Sequence, residues 1–579
     1  MRSGPVYLIR ARVDMTEPHA DEIVWDCWRR HAEEAPQREA IVHVSLDREP
    51  YRWRWGGLMR AATSAARWLS EHGVRRGHVC AIVVRHHRLF YPLYMGVSCL
   101  GALPAVLAYP NERLHPDKFR QGLQGMSLRS GLDFVLTERD LTPVVAPLVG
   151  QPGSTIRAIL HPLEALEGAV GEGGPIDAHE PVPGTDPCLL QHSSGTTGLQ
   201  KPVVLSHRSV LEHVRRYASA IALAPDDKVV SWLPLYHDMG LIAAFYLPLV
   251  CGIPVVQLSP LEWVSSPVLL LQVLSAEGGT LSWLPNFAYN LMADRVRVED
   301  VAGLRLDRVR LLVNCSEPVR DESHARFARR FEGLGLRPDA LGACYAMAET
   351  TFAVSQTRPG ERARTLTVDR LELARRNVVP VADPASGRVC VSSGAPISGC
   401  QVRIVDDARR DLPPGKVGEI AIRSVSLFDG YRNYPEKTAE VLSDGWYYSG
   451  DYGFLHGGEC YVIGRKKDVV IVAGSNVAPE DVEDAVGQVP GVLPGRIVAF
   501  GTEDERAGTE MLCVVAETPK AEVSEQRDLR RAVLQAGMAI DVTISRVYLA
   551  PPRWLIKSSS GKPARAANRV RAMEELAWR

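Results

Sequence analysis

The chain predicts an α/β fold: a large, multi-subdomain N-terminal portion on mostly parallel sheets, followed by a small α+β portion. Three observations predict it. Apolar runs alternate with helical periodicity from the outset, as a helix at Ile23–Glu34, a strand at Ala40–Val44, a helix at Trp55–Leu69 and a strand at Cys80–Val84. Strands separated by helical crossovers pair in parallel. Two uncharged stretches, Leu89–Asn111 and Met239–Ser259, are long enough to cross a bilayer. Pro92, Gly101 and Pro104 interrupt the first, and Pro248, Gly252 and Pro254 the second, so each reads as a buried helix turning into a buried parallel strand (Ala105–Tyr109; Val255–Leu258) rather than a membrane span. Finally, the last ~100 residues have the size and content of an independent module. They carry strands at Val469–Val472, Ile497–Phe500, Leu512–Ala516 and Val542–Leu549, with one helix ending at Gly487 and another over Val523–Ala536.

At 579 residues the chain exceeds one compact core, so at least two domains are expected. With 46% apolar and 23% charged residues it has an ordinary globular composition. A net charge of −1 provides no basic field for nucleic acid. The cysteines show no C-x-x-C and no paired spacing, which predicts reduced thiols and a cytoplasmic protein. Residues 1–20 contain no signal-peptide apolar core and are expected to be a disordered lead-in, with Met15 an alternative start. Gly168–Gly184, rich in Gly and Pro, reads as a surface connection.

The most informative stretch is L-L-Q-H-S-S-G-T-T-G-L-Q-K-P-V-V-L-S-H, Leu189–His207. A turn of Ser193, Ser194, Gly195, Thr196, Thr197 and Gly198 lies between two apolar strands, followed by Lys201. Glycines let backbone N–H groups approach an anion closely, hydroxyls add donors, and lysine adds charge. The spacing G-x-x-G-x-x-K between strands differs from the P-loop, in which G-K-[ST] opens a helix. This is a phosphate loop of another kind.

S-S-G-T-T-G-x-x-K resembles the phosphate signature of the adenylate-forming superfamily, which includes acyl-CoA synthetases, peptide-synthetase adenylation domains and fatty acyl-AMP ligases. Further motifs recur in that family's order. W-L-P-L-Y-H-D-M-G-L, Trp232–Leu241, is especially similar to fatty acyl-AMP ligases, and the resemblance places His237 between acyl pocket and phosphate site. Leu281–Asn290 (L-S-W-L-P-N-F-A-Y-N) is similar to the same group, implying aromatics that line or support an acyl tunnel. N-C-S-E-P-V, Asn314–Val319, matches the turn that wraps adenine, implicating Ser316 and Glu317; Y-A-M-A-E-T-T implies Tyr345 stacked on adenine and Glu349 on Mg²⁺. D-G-W-Y-Y-S-G-D ends in Asp451, implied to hold the ribose hydroxyls with Arg465 of G-R-K-K-D as partner on ribose or phosphate. S-S-S-G-K ends in Lys562, the position of the family's catalytic lysine. Two positions depart from the pattern. Cys315 stands where glycine is common, and Pro202 follows Lys201 where glycine is usual, removing a backbone donor.

The resemblance implies a domain plan: an adenylation domain over residues 21–466, with a family-type insertion near 355–388, and a mobile C-terminal lid over 467–579 hinged at Lys467. The insertion, including L-T-V-D-R-L-E-L-A-R-R-N, is what fatty acyl-AMP ligases carry, in association with poor CoA use. The implied activity is ATP- and Mg²⁺-dependent conversion of a fatty or fatty-like carboxylic acid to an acyl adenylate, for transfer to an acyl carrier protein. An acyl-CoA ligase and a catalytically dead adenylate-binding protein are the alternatives.

Overall fold

The structure, a computed structural model, describes residues 22–110, 116–169, 182–192, 200–383, 387–472, 475–504, 509–557 and 562–575. Its centre is a nine-stranded sheet. Six inner strands run parallel, in the spatial order Leu341–Ala346, Leu311–Asn314, Leu281–Leu284, Val229–Ser231, Val255–Gln257, Glu39–Ser45. Four of these are short and buried at every residue, as continuous apolar runs between helical layers must be. A second sheet, Leu103–Val106, Val79–Val83, Leu132–Thr137 and Ala158–Leu160, is entirely parallel. The two uncharged stretches fold as the sequence predicts. The first is a buried helix, Phe90–Cys99, leading to Leu103–Val106. The second is a π-helix over Met239–Tyr246 and an α-turn Leu247–Val250, leading to Val255–Gln257. Among the described residues no helix is long and apolar enough to cross a membrane.

Parallel pairing does not extend through the chain. The central sheet is closed at both ends by antiparallel strands, Arg48–Arg54 at one and Ala353–Gln356 with Ala395–Pro396 at the other. The five-stranded sheet holding Cys400–Val405, Gly418–Ser424, Trp446–His456 and Glu459–Arg465 is antiparallel. Connection length explains it: Gly457 and Gly458, both at positive φ, are all that joins the last two strands, too little for a parallel crossover.

The spacer near 355–388 is a folded element. Thr365–Asp369 pairs antiparallel with Gly387–Val391, and Asp369 caps the short helix Arg370–Ala374 by accepting from Glu372 N at 2.9 Å. Val368 and Leu373 are buried with Tyr452, Phe454 and Tyr461. The smaller C-terminal domain has its own apolar clusters, one around Val482, Val486, Leu512, Val514 and Val533. Its last predicted strand is narrower than Val542–Leu549. Val542 N bonds back to Gly537 O behind the helix Val523–Met538, and pairing begins at Arg546.

Candidate active site

The C-terminal ends of the parallel strands open into a cleft of about 2880 Å³, its far side formed by the C-terminal domain. Ligands of open α/β sheets bind at such strand ends. Strand Leu341–Ala346 delivers Tyr345, whose OH donates to Asp451 Oδ2 at 2.6 Å. Asp451 follows Gly450, at φ 71°, and its Oδ1 accepts from Arg465 Nε at 2.9 Å across the hairpin. Burial pushes the Asp451 carboxyl up and the Arg465 charge opposes it. The structure therefore brings Tyr345, Asp451 and Arg465 together.

Glu349, buried in the 3₁₀ turn Ala348–Thr350, accepts a hydrogen bond from Tyr431 OH at 2.7 Å through Oε1. The Lys201 ammonium lies 4.9 Å from the Tyr431 ring centroid and 3.5 Å from its OH. Burial pushes Lys201 below the usual lysine range, and Glu349 is the largest influence restoring its charge. Tyr431 was not singled out from sequence, because nothing local marks it; its strand Gly430–Tyr431 reaches the site by pairing with Pro202–Ser206, some 230 residues away. Ser193, Ser194, Gly195, Thr196, Thr197 and Gly198 lie outside the described residues. The strands flanking them, Pro187–His192 and Pro202–Ser206, pair antiparallel with His192 opposite Pro202. Pro202 lacks the N–H donor, while its carbonyl accepts from Arg432 N at 2.9 Å.

In the turn after strand Leu311–Asn314, Cys315 is fully buried and Ser316 takes φ 67°. Glu317 Oε2 accepts from Phe287 N at 2.9 Å, satisfying the N-terminus of helix Asn286–Arg295. Lys562, from the C-terminal domain, donates from Nζ to the Ser316 carbonyl. His237 sits in the turn before the π-helix, its ring 4.8 Å from that of Tyr236. The next residue, Asp238, caps that helix by accepting from Met239 N at 2.8 Å. Burial pushes the Asp238 carboxyl up to about 6 against that hydrogen bond; Glu349 reinforces the shift and Lys562 opposes it. Asp238 thus joins the cluster electrostatically, and its place beside His237 in the motif was the signal available for it.

The opposite wall is aromatic. Trp232 and Phe287 line it, and Trp263, fully buried behind them, stacks on Trp232 at 3.6 Å with the Phe287 ring edge-on to both at 6.2 Å. Of the Leu281–Asn290 segment, Phe287 lines the cleft, while Trp283 and Tyr289 are fully buried behind it. Trp283 Nε1 donates to Tyr217 OH at 2.7 Å.

The model of the AMP-binding enzyme family matches residues 28–432, most of the chain. The chain belongs to that family. Over 573 residues this AMP-binding enzyme is 30% identical to the Mycobacterium tuberculosis protein described as "Probable long-chain-fatty-acid--AMP ligase FadD30", covering 93% of this chain and 96% of that one. It is 35% identical to the medium-chain-fatty-acid–[acyl-carrier-protein] ligase JamA of Moorena producens over 403 residues, 66% of this chain and 67% of JamA. A structure from work on fatty acyl-adenylate ligases of E. coli and L. pneumophila superposes with a TM-score of 0.86 at 26% identity, covering 97% of this chain and 99% of the other. ATP is accordingly a ligand of this AMP-binding enzyme, which activates acids as acyl adenylates.

Proposed function

We propose that the protein is an acyl-AMP ligase that activates a fatty or fatty-like acid with ATP and passes the acyl group to an acyl carrier protein. The observation that carries this reading is the meeting of a C-terminal-domain lysine, a nucleotide-type polar wall and an aromatic wall in one cleft. A carboxylate is a poor acyl donor. When its oxygen bonds to the α-phosphorus of ATP, the bond to the bridging oxygen breaks and pyrophosphate leaves, so the acyl group gains AMP as a good leaving group. The obstacle is bringing two anions together, so positioned charge matters more than a protein nucleophile.

Lys562 bridges carboxylate and α-phosphate in this scheme, and His237 stands between acyl group and phosphate. Ser193 to Gly198 with Lys201 hold the departing phosphates. Tyr345, Ser316 and Glu317 enclose the base, and Asp451 with Arg465 take the ribose. Glu349 suits Mg²⁺, because Oε1 is occupied by Tyr431 and Oε2 remains for a hard cation sharing phosphate oxygens. Bound there, Mg²⁺ would neutralise triphosphate charge.

The domains divide at 466/467, with Lys467 as hinge. The insertion grips the lid in the orientation that delivers Lys562: Asn476 Nδ2 donates to Ala374 O at 2.8 Å, and Arg388 pairs with Asp481 at 2.9 Å. A lid so held keeps Lys562 at the site for adenylation, and the segment that holds it is the insertion whose resemblance to fatty acyl-AMP ligases supports the carrier-protein reading. A cytoplasmic location accords with eleven cysteines that are all free and buried.

Mass spectrometry of products from ATP, Mg²⁺ and a panel of carboxylic acids, with and without CoA, tests the function. Accumulating acyl-AMP with CoA unused is the expected result. Acyl-CoA formed at a comparable rate overturns the carrier-protein reading, and absence of any adenylate overturns acid activation.

A further inference from the structure

Part of the cleft wall is polar where an alkyl chain would want none. His43 and Gln257 are register partners on adjacent parallel strands, and Gln257 in turn pairs with Ser231, so the three side chains share one face of the sheet. Two helices cover that face. From Phe90–Cys99, Tyr91 OH lies 3.0 Å from His43 Nδ1; on Met239–Tyr246, Ala244 O accepts from Gln257 Nε2 at 2.9 Å. The His86 ring stacks on His43 at 3.9 Å, and its Nε2 donates to Val44 O at 2.9 Å. Gln257 and Tyr91, each 2% exposed, line the cleft together with His86.

Counting donors and acceptors here leaves a consistent remainder. Gln257 spends an N–H on Ala244 O, and its Oε1 receives no donor among the described residues. His86 must carry its proton on Nε2 to reach a carbonyl, so Nδ1 is an acceptor, also without a donor among the described residues. Burial keeps both rings neutral, holding His86 down at about 4 and His43 at about 2. Both acceptors open onto the cleft, where water can reach them, and an alkyl terminus seated against them would strip that water away without supplying a donor. Their complement is a neutral hydrogen-bond donor, since a buried ammonium would bring its own desolvation cost.

The donor belongs to the acid and not to the nucleotide. Gln257's strand lies three places along the sheet from Leu311–Asn314, whose end carries Ser316 and the Lys562 contact. At the usual strand spacing that is about 14 Å from the reacting carboxylate. Building on the acid-activation reading, we propose that the enzyme selects acids of medium length bearing a hydroxyl near the far end, with Gln257 Oε1 and His86 Nδ1 accepting its hydrogen bond.

The test sets each saturated acid from octanoic to hexadecanoic against its own ω-hydroxy derivative, in pairwise competition for acyl-adenylate formation. Wild type is expected to favour the hydroxy acid by about tenfold or more in kcat/KM over a narrow range of lengths. Gln257→Leu should erase or reverse that preference while still adenylating the plain acid; His86→Phe, which also keeps a ring on His43, should reduce it independently should the first variant fold poorly. Plain acids adenylated as well as their hydroxy partners at every length, or a preference unmoved by both variants, overturns the proposal and leaves acid activation standing. No adenylate from any acid overturns both.

Discussion

The central sheet and the C-terminal domain are held by different forces. Strands Val229–Ser231, Leu281–Leu284 and Leu311–Asn314 are buried throughout, and Trp283, Trp55 and Trp263 at 0% exposure fill the layers around them. The C-terminal domain has an apolar interior of its own, yet it meets the body largely through polar contacts: Arg320 with Asp481 and Asp484, Arg388 with Asp481, Asn476 with Ala374, Lys562 with Ser316. Apolar burial is non-directional and cooperative. Ion pairs this far buried offset much of their attraction with desolvation, so their net contribution is small, and salt screens them where solvent reaches. The lesson is a division of labour: a body packed by continuous apolar burial, and a C-terminal domain docked on it by polar contacts.

Acid should separate the two most strongly. His43, His192, His207, His213 and His324 are buried in the body and His86 is half-buried there, and desolvation depresses each: His213 to about 3, and His86, His192, His207 and His324 to about 4. No histidine follows His456. A depressed histidine contributes stability above its unfolded value of 6.5, and that contribution is lost as pH falls toward the folded value. Each costs at most about 1.4 kcal/mol per pH unit in that window, so the sum over the six rings is on the order of 10 kcal/mol near pH 5. Urea unfolding should show the body's midpoint falling steeply between pH 7 and pH 5, and a flat midpoint would contradict it.

Next in size is a cavity in the body. Trp283→Ala should cost about 3–5 kcal/mol by urea unfolding, because it empties a fully buried site and removes the bond to Tyr217 OH. Lys562→Ala is the matching change in the lid. It should lower the rate of acyl-adenylate formation on the order of 10²–10³-fold while leaving the urea midpoint and ATP affinity nearly unchanged. Retained adenylation at the wild-type rate would remove Lys562 from the reaction.

How legible these regions were in the sequence follows the same physics. The body's parallel strands announced themselves as continuous apolar runs because they are buried on both faces, and the helix-to-strand turns were marked by Pro and Gly. Of the motif residues, Asp451 and Arg465 were legible as a pair because one hairpin carries both, whereas Tyr345 reaches them from a central-sheet strand 106 residues away. Contacts between distant segments were not legible. Tyr431 meets Glu349 only once Gly430–Tyr431 has paired with Pro202–Ser206, and no local pattern encodes that pairing. The insertion's strand and helix were masked by exposed Arg and Glu, since one face alone, with Val368 and Leu373, is buried. The acceptors at Gln257 and His86 look like ordinary polar residues until register sets them beside His43.

The smallest effect examines the lid rim itself. Arg320 reaches Asp481 at 3.4 Å and Arg388 reaches it at 2.9 Å, the two arginines converging on one carboxylate of the helix Pro479–Gly487. Asp481 is partly buried, so removing both arginines leaves its charge with less compensation and disfavours the closed lid by about 1–2 kcal/mol. Adenylation by the Arg320→Ala, Arg388→Ala double variant should therefore slow about five- to tenfold. Wild-type adenylation should fall as KCl is raised, because salt weakens the same pairs, and the double variant's rate should respond less. The urea midpoint of the body should stay where it is, since neither arginine fills the sheet's interior. A double variant that adenylates at the wild-type rate with unchanged salt dependence would mean that the rim pairs do not hold Lys562 in reach. The insertion's grip would then rest on Asn476 and Ala374, a contact between neutral groups that salt does not weaken.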